Sequence, residues 1–222
     1  MENAQKSDGS LFLCQERFAL GIDEIVLTKE RKGDTLAEIT TEEKRRMRQT
    51  LGSLSWRATQ SAPWLLAPVS LLQGAVESGR VCDVLAVNKL VRLQRKYFDR
   101  GLYFPCLNGD VTAVTFTDAS RATRVDGSSQ GGQITILAPK GILNGEKTPF
   151  CILDSSSRRL KRVARSSTRA EAQMCANGLD FHEFSKLGWT DLQEPTKVDL
   201  RVADEYLRTL LMPEILLRAF PG

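Results

Sequence analysis

Two carboxylates and one run of cations hold most of the chemistry this sequence offers. The stretch AVTFTDAS, residues 113–120, carries an apolar, strand-like run to Asp118, and RRLKRVARSSTRAEAQ, residues 158–173, leads a basic strip into a helix-like segment that contains Glu171. Two further strand-like runs lie between them. In a three-stranded meander, a helix that follows and packs across the face returns its first turn to the end of the first strand. Asp118 and Glu171 are therefore expected to share a divalent ion. Hard oxygen donors suit magnesium or manganese, and paired ions about 3.5–4 Å apart activate a water and stabilise the leaving oxygen in phosphodiester cleavage. Such a site takes three or four acids.

Each feature also has a plainer reading. An aspartate at a strand end often forms a turn, and Thr168-x-x-Glu171 fits a capping box in which the glutamate bonds back to the helix start. The cations Arg158, Arg159, Lys161, Arg162 and Arg165 are either a solvated edge that discourages aggregation or a strip of sequence-independent phosphate contacts. Their placement directly before the Glu171 helix, beside the expected metal ligands, favours the phosphate reading. Asp180 lies on the opposite side of that helix from Glu171, and His182 about three turns away, so neither completes the same site. GSSQGG lacks the Lys-Ser/Thr that a phosphate loop needs, and neither a GxSxG nor a Cys–His arrangement occurs.

These residues need elements to position them. The 222 residues are enough for two units, and 41% hydrophobic with 26% charged residues matches a folded globular chain. The net charge of +4 is concentrated, because residues 155–170 hold six basic side chains and no acid. Residues 1–10 are polar and are expected to be disordered. Residues 11–29 give two apolar runs around Gly21-Ile22-Asp23-Glu24, a predicted hairpin. Thr40-x-x-Glu43 opens a helix with Met47, Leu51, Leu54 and Ala58 at helical spacing, stopped by Pro63, and helices over about 67–78 and 82–99 follow. From residue 106, three β-prone runs separated by short turns predict an antiparallel meander, followed by a helix over about 168–187 that is apolar on two sides. The tail adds an alternating run, KVDLRVAD, and an apolar helical stretch. Five scattered cysteines without a CxxC pair and a single histidine argue against zinc and for reduced thiols. The start has no apolar signal segment and the longest apolar run is far short of a membrane span, so the expectation is an intracellular chain, cytoplasmic or nuclear.

LGSLSWRATQSAPWLLAPVSLLQ, TFTDAS, DGSSQGG and RRLKRVARSSTRAEAQ, in this order and spacing, resemble the C-terminal part of copia-type LTR-retrotransposon Pol polyproteins, where reverse transcriptase leads into ribonuclease H. The resemblance covers about residues 11–187. It implies an α+β chain: residues 11–105 a thumb- or connection-like hairpin and helices, and residues 106–222 a C-terminally incomplete ribonuclease H-like domain with a mixed sheet, an antiparallel meander and a packed helix. The implied activity is hydrolysis of the RNA strand of an RNA–DNA hybrid with Mg2+ or Mn2+, without a small-molecule cofactor or a membrane partner. Asp118 matches the family's first-strand aspartate and Glu171 its first-helix glutamate, and the basic strip matches a segment beside the hybrid. The next family carboxylate has no close match, Asp204 being the best candidate by local pattern. Ser155 stands where a tryptophan is usual, and SAPW where TRPD is typical. No Tyr-x-Asp-Asp motif occurs, so the upstream polymerase domain is missing from this chain. An inactive nucleic-acid-binding remnant is the alternative that these departures imply.

Overall fold

The computed structural model describes residues 2–193. Over this range the protein is mixed α+β, with six α-helices and two antiparallel three-stranded sheets. The chain divides into two compact units, Met1–Gly178 and Leu179–Gly222. The helical portion and the meander thus fall in one unit, where the sequence suggests a boundary near residue 105.

The first sheet is built from β1 (Glu2–Gln5), β2 (Leu11–Cys14) and β3 (Leu102–Phe104), in that order. The N-terminus is therefore ordered as a strand, against the expectation for residues 1–10, because Glu2–Gln5 pair residue for residue with Leu11–Cys14. The hairpin expected over residues 11–29 does not form either. After β2 the chain enters α1 (Glu16–Leu20), and the second apolar run stays extended without a strand partner. Asn88, buried on a neighbouring helix, replaces that partner: its Oδ1 accepts from the Ile25 N–H at 2.7 Å and its Nδ2 donates to the Ile25 carbonyl at 2.8 Å. Both backbone groups are satisfied, so Ile22, Ile25 and Leu27 can be buried in the core.

Short helix α2 (Lys29–Gly33) precedes α3 (Thr41–Gln60), which opens with the predicted capping box. Thr40 Oγ1 accepts from the Glu43 N–H, Glu43 accepts from the Thr40 N–H at 2.7 Å, and Arg31 donates to the same carboxylate. Met47, Leu51, Leu54 and Ala58 line the buried side of α3. They pack with Val69 of α4 (Leu66–Ala75) and Val84, Val87 and Val91 of α5 (Val81–Lys96). Arg57 lies wholly buried among them. Its guanidinium donates to the carbonyls of Gln94, Tyr97 and Phe98 and to the Gln94 side chain, and so closes the end of α5.

The second sheet is the predicted meander of β4 (Val111–Ser120), β5 (Gln130–Pro139) and β6 (Cys151–Arg159), with β5 in the centre. Helix α4 packs against β6. A half-buried polar network joins them, with only Gln130 buried. Arg124 donates to the Ser70 carbonyl and to Gln130 Oε1, and Gln130 Nε2 donates to Ser70 Oγ at 3.0 Å and Ser157 Oγ at 2.9 Å. Gly74 leaves room for it, since a Cβ there would overlap the Arg124 guanidinium. Helix α6 (Ser167–Gln193) follows the basic strip. The described residues include no helix long and apolar enough to cross a membrane.

Candidate active site

Strand β4 delivers Asp118 opposite Gly132 of β5, which in turn pairs with Ser157 of β6. On α6, Ala170, Met174 and Gly178 are buried at a spacing of four, one stripe along the helix. Two glycines let this stripe approach the sheet. A Cβ on Gly131 would fall 2.7 Å from Leu160 Cδ2 and collide with Met174 Sδ, and a Cβ on Gly178 would collide with Thr117 Cγ2. Leu160, buried in the middle of the basic strip, forms a small core with Ala170 and Met174 and so anchors the strip at the start of α6.

The close approach brings Asp118 and Glu171 to one open cleft of about 540 Å³, lined also by Thr117, Thr168, Ala172 and Cys175. Glu171 and Cys175 are one helical turn apart on the same side of α6. Strand alternation directs Thr117 towards the helix and makes Asp118 depart from the other side of β4. Glu171 is not the capping residue that Thr168-x-x-Glu171 suggests. The helix starts earlier: Ser166 Oγ accepts from the Arg169 N–H at 3.2 Å, which puts Glu171 in the second turn, facing the cleft. No hydrogen bond or ion pair to another described residue ties down either carboxylate.

The strip residues Arg158, Arg159, Lys161, Arg162 and Arg165 are all exposed. Arg159 pairs with Asp126 at 3.1 Å across the β4–β5 turn, a contact that is itself open to solvent. That turn holds Ala122 at a φ of 53°, in the left-handed region. The other acid on a meander strand, Asp154, does not line the cleft. Burial pushes its carboxyl above the usual carboxylate range, against a hydrogen bond from Gln133.

As a metal site the cleft is partial. Among the described residues no group of three or more His, Cys, Asp or Glu side chains is arranged to hold an ion, and Asp204 lies outside them. Asp118 and Glu171 both line the cleft, but Thr115, Thr117 and Ala119 take the helix-facing side of β4 and Asp118 the other, so the cleft offers two separate carboxylates. Magnesium, which keeps several waters and is often held by one or two carboxylates plus substrate phosphates, is the ion that so sparse a set suits. Thr117, Thr168 and Cys175 are the cleft residues that sequence reasoning missed. The spacing of Cys175 four residues after Glu171 is the signal that marks it. Comparison with protein-family models, curated proteins and solved structures finds no match for the chain.

Proposed function

We propose that this chain is a retroelement-derived ribonuclease H-like module, related to the copia-type Pol polyproteins, that acts on the RNA strand of RNA–DNA hybrids. The observation that carries the reading is the cleft shared by Asp118, from the end of a meander strand, and Glu171, from the helix packed across that meander. Asp118 and Glu171 would hold Mg2+ or Mn2+, which when bound supplies an activated water and neutralises charge on the leaving oxygen. Substrate phosphates would complete the coordination that two carboxylates leave open. Arg158, Arg159, Lys161, Arg162 and Arg165 would hold the hybrid by its backbone. Contacts of this kind ignore sequence, as an enzyme on a wide, shallow minor groove requires.

The test is cleavage of an end-labelled RNA–DNA hybrid by the purified chain with magnesium or manganese, beside Asp118→Asn and Glu171→Gln. Cleavage in the wild type and its loss in both variants, by at least about a hundredfold, is the expected result; removing charge stabilisation from a reacting site typically costs about that much or more. Equal rates in all three proteins would sink the assignment.

A second reading is favoured by the lack of a third metal-binding side chain among the described residues. In it the chain binds hybrid or other nucleic acid through the basic strip and cuts nothing. Salt-sensitive binding that survives Asp118→Asn, without metal-dependent cleavage, would select this reading.

A further inference from the structure

We propose that the trough between α4 and α5 is a docking site for an acidic, amphipathic helix of a protein partner. Leu71 and Leu72 from one helix and Leu90 and Leu93 from the other line this open groove of about 620 Å³. It lies outside the cleft that holds Asp118 and Glu171, and none of its lining residues belongs to the basic strip.

Helix α4 is apolar on more sides than one core can use. Val69 and Ala75 are buried, Ser70 and Gly74 meet the sheet, and Leu71 still borders the trough. Helix α5 shows the same surplus: Val84, Val87 and Val91 fill the core, while Leu93 is 40% exposed. An unfilled furrow between two packed helices offers a third helix a ridge-and-groove seat.

Charge defines the occupant. The groove is bordered by Lys89, Arg92 and Lys96, and no acid lines it. Arg92 pairs with Glu24, but neither Lys89 nor Lys96 has a carboxylate partner among the described residues, and both are exposed. A partner helix with apolar residues at i, i+3, i+4 and i+7 would fill the floor while Glu or Asp on its flanks met the two lysines. Nucleic acid suits this place poorly, because an apolar floor offers phosphates no donors. A flat lipid surface would have to enter a concave groove.

The experiment uses the full chain and a fluorescein-labelled synthetic peptide of about 18 residues, five helical turns, with Leu on one stripe and Glu on both flanks. A second peptide carries Lys in place of Glu. The acidic peptide should bind, and the Lys89→Glu/Lys96→Glu chain should bind it at least about tenfold more weakly while gaining affinity for the basic peptide. Leu93→Glu, a change at an exposed position, should weaken the acidic peptide as well. Three results would overturn the proposal: no binding of the acidic peptide, equal binding of both peptides by the wild type, or acidic-peptide binding that survives both variants. Anionic phosphatidylserine vesicles or an RNA–DNA hybrid whose binding is lost in the same variants, with no acidic-peptide binding, would reassign the groove.

Discussion

Cys175 is the residue of the cleft that solution chemistry can reach. It is exposed, unpaired to any other thiol and one turn from Glu171, so a bulky group on its sulfur would occupy the space that the two carboxylates border. If the hydrolase reading holds, N-ethylmaleimide should lower hybrid cleavage at least about tenfold, close to 1.4 kcal/mol in barrier. Cys175→Ser should keep its activity and resist the reagent. Cys82 and Cys106 are exposed too and react in either protein, so equal inhibition of both would show that the cleft is not the site of action. Joint placement, one acid ending a strand-like run and another opening the helix after the meander, is what singled out Asp118 and Glu171 as candidates, and both line one cleft. Arg57, Asn88 and Gln94 were not legible. Their burial depends on carbonyls and amides brought from 37 to 75 residues away in sequence, and no local pattern encodes such pairing.

At the scale of elements, most signals within one element were read correctly, Thr168-x-x-Glu171 being the exception, and partner choice across the chain was not. The Thr40 and Glu43 capping box, the α3 stripe and the three strands of the meander all rest on spacings within one element. The failed hairpin over residues 11–29 rests on a choice between partners. Leu11–Cys14 pair on one side with Glu2–Gln5 and on the other with Leu102–Phe104, two segments with no mutual pattern in the sequence. Gly101 permits the second pairing, since any Cβ there would strike the Leu13 backbone. The capping box also sets a pH dependence. The hydrogen bond from Arg31, helped by the Thr40 N–H, holds Glu43 at a pKa of about 2 against an ordinary 4.5. A folded-state pKa below the unfolded one contributes stability above the unfolded value and loses it as protons bind the native carboxylate. Urea midpoints should therefore fall as pH drops from about 4.5 towards 2. Glu43→Gln should be less stable at neutral pH and fall less over that window; a parallel descent would show that Glu43 does not set it. Glu42 is also pulled to about 2 by Arg45 and Arg46, but it is exposed and its pairs are screened, so its share is small.

For the whole molecule, the uneven distribution of charge matters more than its sum. The five cations of the strip at residues 158–165 are exposed, next to the cleft helix, and the strip is free of acids in its own sequence. If the strip holds nucleic acid as proposed, hybrid affinity should fall steeply with salt, with a log–log slope that shrinks by roughly 0.7–0.9 for every phosphate contact removed. Replacing Arg158, Arg159, Lys161, Arg162 and Arg165 by alanine should flatten that slope by several units; an unchanged slope would place the phosphates elsewhere. A third ligand for the proposed metal could not be sought by sequence reasoning, for a physical reason. A metal site gathers residues by tertiary placement, and Asp204 had only a local resemblance to recommend it.

The joint of Arg124, Gln130 and Ser70 has a thermodynamic consequence. These polar groups, Gln130 buried and Arg124 and Ser70 half-buried, bond to one another across the seam between α4 and the meander. Separating the two faces would exchange several protein hydrogen bonds for bonds to water at once and give up the packing around them, so the joint couples the two sides. Residues on both sides of position 105 are therefore expected to unfold in one calorimetric transition, and two resolved transitions would show that the joint does not couple them.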